Sequence, residues 1–118
     1  MKNLKFRAWD KEEKTMFNIA RIDIADGSCY SHLFASDIYD YWNDVEIMQY
    51  TGYNDITGKE IHESDIVETT RILNHIVGRV VMIKGCWCIQ DEKDSFYRLI
   101  PKFGKVENKV IGNIYENN

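Results

Sequence analysis

The sequence predicts a mostly β chain forming one domain, with a single short helix and a small barrel built from its C-terminal half. Two observations carry this expectation. Five short apolar runs crowd the back of the chain, at Ile66-Val67, Arg79–Ile83, Cys86–Ile89, Phe96–Ile100 and Val110–Tyr115, with turn-forming residues between them. Strands at such tight spacing are the signature of small barrels. The second is size and composition: 118 residues with 44% hydrophobic and 29% charged side chains suit one buried core and argue against disorder.

The elements follow in order. Lys5–Trp9 alternates with period two and has large apolar groups on both faces, so the strand is expected to be covered on both sides at one end. Asp10–Lys14 is a charged turn, and Thr15–Ile24 returns as a second strand, which makes an N-terminal hairpin. Asp26-Gly27 marks the next turn, because glycine reaches positive φ cheaply. Cys29–Phe34 reads as a short strand. Ser36–Trp42 is the helix candidate: Ser or Asp can cap it, and Ile38, Tyr41 and Trp42 recur at helical spacing. Val45–Thr51 is again strand. Gly52–Asp65 is dense in turn residues and is expected to be loop, with Asp55 and Gly58 bracketing a type I turn in which Asp55 accepts backbone N–H groups. Gly112, inside an apolar run, points to a bulge or a close backbone approach. Trp9, Trp87 and Tyr115 are the expected core anchors.

Charge and targeting narrow the setting. Net charge is −4, divided as −3 over residues 1–51, −4 over 52–68 and +3 over 69–118. That balance is too weak for strong nonspecific nucleic-acid binding, which phosphate neutralisation drives. The first ten residues mix charged and apolar types, without the unbroken apolar stretch of a signal peptide, and no run approaches a membrane span. A cytoplasmic protein with no membrane partner is expected. Cys29, Cys86 and Cys88 cannot all pair within one chain, and free buried thiols are the natural reading. Cys86 and Cys88 would share a face, but zinc sites use wider spacing and would need His62 or His75 to converge on them, so no metal or cofactor is expected.

Four stretches resemble the YopX family of bacteriophage and prophage proteins: Lys5-Phe6-Arg7-Ala8-Trp9-Asp10, Met48-Gln49-Tyr50-Thr51-Gly52, Asp55–Ile61 leading into Asp65-Ile66-Val67, and Val110–Asn117. They span the chain in the family's order. The resemblance implies a phage setting in a bacterial host. It also implies an α+β fold, mostly β, with a hairpin-containing N-terminal part over 1–61 and an SH3-like small barrel over 62–118. It assigns no activity. One position departs from the pattern: Ser64 stands where the family has glycine, which calls into question any conformation there that needs glycine.

Two clusters are candidate sites. Glu60, His62, Glu63 and Asp65 place carboxylates near an imidazole, which could share acid–base work or hold a divalent ion. The simpler account is a solvated acidic turn in which Asp65 caps the start of a strand or a short helical turn. Arg98, Lys102, Phe103, Lys105 and Lys109 form a basic strip with aromatic neighbours, the composition of a single-stranded nucleic-acid surface. Here the simpler account is solvated lysines beside core aromatics. No phosphate-binding glycine loop or serine nucleophile elbow is present. No catalytic residue is assigned. The leading expectation is a non-enzymatic module that binds a protein partner or self-associates as a homo-oligomer, ahead of a nucleic-acid binder or a hydrolytic or metal-dependent enzyme.

Overall fold

A computed structural model describes residues 4–31, 38–40 and 43–116. All regular structure among them is antiparallel β: β1 (Phe6–Asp10), β2 (Thr15–Asn18), β3 (Arg21–Asp23), β4 (Ser28–Tyr30), β5 (Ile38–Asp40), β6 (Val45–Asn54), β7 (Glu60–His62), β8 (Asp65–Arg71), β9 (His75–Ile83), β10 (Cys86–Gln90), β11 (Phe96–Arg98) and β12 (Val106–Asn113). No helix among the described residues is long and apolar enough to cross a membrane. The chain divides into two compact units, Met1–Gln49 and Tyr50–Asn118, and the boundary falls within β6.

In the first unit, β1 pairs with β2 on one side and with the opening half of β6 on the other, so Arg7 faces both Asn18 and Met48. A central strand is covered on both faces, and Arg7, Ala8, Trp9 and Asp10 are all buried, as the two-sided apolar pattern requires. Ala8, Cys29 and Val45 form this unit's core, with Phe17, Ile22 and Ile47 packed against it. The β1–β2 turn is built by Asp10, whose carboxylate accepts the N–H groups of Glu12 and Glu13, each at 3.0 Å.

The helix expectation fails where it can be examined. Ile38–Asp40 is strand β5, laddered to β4 in the three-stranded sheet β3-β4-β5. Ser36, Asp37, Tyr41 and Trp42 lie outside the described residues. A seven-residue helix cannot repay its own nucleation. Ile38 and Tyr39 are strong strand formers, and the neighbouring ladder supplies their backbone partners. An α component is therefore not seen among the described residues, and the fold there is all-β.

In the second unit, five strands take the order β11-β10-β9-β8-β12 and curl into a half-barrel. Its core is Ile61, Val67, Ile76, Val80, Ile89, Leu99 and Val110, with Trp87 and Tyr97 half-buried against it. Side chains of β12 and β8 reach across to the β11 edge: Asn108 Nδ2 donates to the Leu99 carbonyl at 3.1 Å, and the Arg71 guanidinium donates to the Arg98 carbonyl. β9 needs a residue without a side chain at Gly78. A Cβ there would overlap the Gln90 carbonyl oxygen of β10 and stand 2.7 Å from Ile89 Cγ2.

The stretch expected to be loop from Gly52 to Asp65 is more regular than its turn residues imply. β6 runs on to Asn54, and β7 occupies Glu60–His62, with an irregular register between Tyr50 and Asn54. Between them, Asp55 does what was expected, and more. Its Oδ1 accepts Thr57 N–H at 2.8 Å, the Thr57 hydroxyl at 2.7 Å and Lys59 N–H at 2.9 Å, while Gly58 N–H closes the turn on the Asp55 carbonyl at 3.0 Å. Its Oδ2 accepts Val110 N–H at 2.9 Å, and Ile56 N–H donates to the Asn108 carbonyl at 2.9 Å. The loop thus covers the outer edge of β12, next to the bulge between Val110 and Gly112.

Burial alone would raise the Asp55 carboxyl, but the hydrogen bonds from Val110, Thr57 and Lys59 outweigh it and bring it down to about 2. A folded-state value below the unfolded one gives stability that is complete above about pH 4 and lost as pH falls towards 2, worth about 2–3 kcal/mol. Asp55→Asn is expected to lose a similar amount at pH 7, because its amide would face the Val110 N–H donor to donor. It should also flatten the acid limb of the stability–pH curve. Denaturant titrations from pH 2 to 7 on both proteins check this (about five points suffice to trace the linkage), and parallel curves would refute it. Gly78→Ala is expected to cost about 2–3 kcal/mol by forcing β9 from β10. Amide exchange should show the loss concentrated on the β9–β10 ladder.

Candidate functional site

The acidic cluster is a structural corner rather than an open site. Glu60 and His62 sit on β7 and Asp65 opens β8, so the turn between them is only Glu63-Ser64. Asp65 is 1% exposed and accepts His62 N–H at 2.8 Å on Oδ2, while Asn113 Nδ2 approaches its Oδ1 at 3.3 Å. His62 is buried too, its ring 5.6 Å from that of Tyr50 and its Nε2 4.0 Å from a Glu60 oxygen. The picture of a solvated turn is therefore corrected at His62 and Asp65, since capping a buried strand start takes the carboxylate out of water. Glu60 and Glu63 stay half-buried.

Ser64 carries the geometry that glycine would have supplied. Its φ is +71°, in the left-handed region. Three backbone or amide bonds fix it there: its N–H donates to Val80 O at 2.9 Å, and its carbonyl accepts from Ile114 N–H and Asn113 Nδ2, both at 3.1 Å. The departure from the family pattern thus leaves the turn intact, with about 1 kcal/mol of strain held by tertiary bonds.

Among the described residues, the cysteines do not form a reactive pair with histidine. Cys88 is buried and Cys86 half-buried on β10. Burial first, and then the adjoining Cys86, push the Cys88 thiol up from its ordinary value, with Arg98 opposing weakly. Burial and then Asp44 push Cys29 up as well. A thiol held protonated is a poor nucleophile. His75 is at the far end of β9 from Val81, the partner of Cys88, about 20 Å away at the rise of a strand. Among the described residues, no three His, Cys, Asp or Glu side chains converge in a way that could hold a metal ion. A wider groove of about 750 Å³ runs along β9, β10 and the 91–95 turn, and three of its polar residues bond in series: Arg79 Nε to Gln90 Oε1 at 3.1 Å, and Gln90 Nε2 to Asp94 Oδ1 at 3.0 Å.

The basic strip is exposed throughout and is spread over three elements. Arg98 lies on β11, Lys109 lies on β12 opposite Glu68, and Lys102, Phe103 and Lys105 lie on the loop between those strands. What the structure adds is apolar. The β8–β9 turn brings Ile72 and Leu73 to a groove of about 470 Å³, facing Pro101, Phe103 and Lys105, with Arg71 at its side. Ile72, Leu73 and Phe103 are 79%, 93% and 89% exposed. Sequence reasoning missed Ile72 and Leu73. The available signal was two large aliphatic residues in a short connection between strand runs, where turns favour Gly, Asn, Asp or Ser.

The described fold is shared with the crystal structure of protein EF1440 from Enterococcus faecalis, at a TM-score of 0.66 and 22% identity over 99% of this chain and 96% of that one. It is also shared with the X-ray structure of protein yopX from Bacillus subtilis, at a TM-score of 0.62 and 19% identity over 96% and 94%. No curated protein matches the sequence. The family model for YopX protein matches residues 5–118, nearly the entire chain, and on that ground the chain belongs to the YopX family.

Proposed function

We propose that this chain is a non-enzymatic binding module, acting in the cytoplasm of a bacterial host in a phage or prophage setting, that docks a partner protein on the tips of its C-terminal unit. One observation carries the reading: Ile72, Leu73 and Phe103 stand almost fully in water around one groove. Single exposed apolar residues are commonplace, but a cluster of three on adjoining turns is the mark of a contact surface. The rigid sheet beneath supports it, because binding residues work best on loops held by a scaffold. The C-terminal unit reads as an SH3-like small barrel. In support, four strands meander as β8-β9-β10-β11 and the fifth, β12, returns beside the first.

A second reading, a nucleic-acid surface, draws on Lys102 and Lys105 beside the exposed Phe103. The enzyme reading is weaker, because the Asp65 carboxylate is committed to His62 N–H and Asn113.

The test places p-benzoylphenylalanine at position 73 and irradiates the full chain in host lysate. A nuclease-resistant protein adduct, absent when the probe replaces exposed Ile56, is the expected result. An adduct removed by nuclease would transfer support to the second reading. Separately, Asp65→Asn is expected to cost about 1–3 kcal/mol by unpairing a buried corner. If that variant instead melts like the wild type and loses a hydrolytic activity, the corner was catalytic.

A further inference from the structure

We infer that the groove between the 72–74 turn and the 99–105 loop receives an acidic protein segment carrying one or two large apolar side chains. This rests on the docking reading and names the chemistry of the partner. The groove has Ile72, Leu73 and Pro101 as its aliphatic lining and Phe103 as its exposed ring. Covering such side chains gains about 25 cal/mol for each Å² taken from water. A volume of about 470 Å³ lies within the range of pockets that hold small ligands or projecting side chains.

Charge selects among the possible occupants. Arg71 and Lys105 lie on the lining, exposed Lys102 precedes Phe103, and no carboxylate is among the described lining residues. Arg71 is held in place by its bond to the Arg98 carbonyl, so this cation is positioned before anything binds. A segment whose apolar side chain sits between carboxylates meets both features at once. Alternatives fit less well. A second copy docked by two-fold symmetry would set cation against cation. Single-stranded nucleic acid needs successive aromatic platforms, whereas here a single exposed ring stands among aliphatic groups. A lipid surface takes a broad apolar face laid flat on it, whereas the apolar residues here are confined to two short turns.

Fluorescence anisotropy on the full chain tests this with four probes: a short labelled peptide with a Leu-Phe pair between glutamates, the same pair between lysines, an oligothymidylate, and vesicles of phosphatidylserine with phosphatidylcholine. Saturable binding of the glutamate peptide is expected. Leu73→Ser or Phe103→Ser should weaken it about tenfold or more, and Lys105→Gln or roughly 0.5 M salt several-fold. Ile56→Ser should leave it unchanged, and equal melting temperatures confirm that each variant is folded. If the lysine peptide binds as well or better, the acidic partner is overturned while the docking surface stands. Binding of the oligothymidylate or the vesicles alone overturns both. Failure of all four probes to bind overturns the inference.

Discussion

The C-terminal unit depends on the Asp55 carboxylate. One side chain with two oxygens satisfies the turn that contains it and the backbone of a strand far along the chain, so local and long-range structure are fixed by the same group. An edge strand such as β12 offers unpaired backbone groups to any passing chain. Here a loop seals that edge near Val110, and the charge that seals it tolerates burial only because so many donors face it. The same chemistry recurs more cheaply elsewhere. Asp10 and Asp91 each hold a hairpin turn through two backbone N–H groups on one oxygen, without reaching a second strand.

The division between stability and contact follows from that arrangement. The groups with demanding chemistry, Asp55, Asp65, His62 and Asn113, are buried and occupied in holding corners. Apolar and cationic side chains, Ile72, Leu73, Lys102, Phe103 and Lys105, stand exposed on two turns of the C-terminal unit, the first of which is closed by Arg71 N–H donating to the Asn74 carbonyl at 2.8 Å. A protein built this way presents a shaped surface more readily than a reacting group.

Much of the fold was legible in the sequence. Alternation located β1, the Val45–Thr51 run gave β6, the C-terminal runs marked β8 to β12, Asp55 and Gly58 announced their turn, and of the two readings of Gly112 the bulge is the one found in β12. The errors have physical origins. β7 is three residues long within a turn-rich stretch, and its strand character comes from pairing with β6, which periodicity cannot see. Ile38–Asp40 carried a helical spacing that a neighbouring ladder overrode. The candidate site was only half visible. Lys102, Phe103 and Lys105 could be read from one segment, but Ile72 and Leu73 join them only through the curl of the sheet. The burial of His62 and Asp65 was hidden because acidic composition reads as wet.

The register of the C-terminal sheet has a consequence for synthesis on the ribosome. β8 lies between β9, which follows it directly, and β12, whose last residue is Asn113. While translation is under way, the 65–71 segment can find one neighbour early but must wait for the other until residues 106–113 have emerged. Over that interval its second edge, and the carboxylate at position 55, lack their native partners, and emerging chains on one messenger are exposed to pairing with each other.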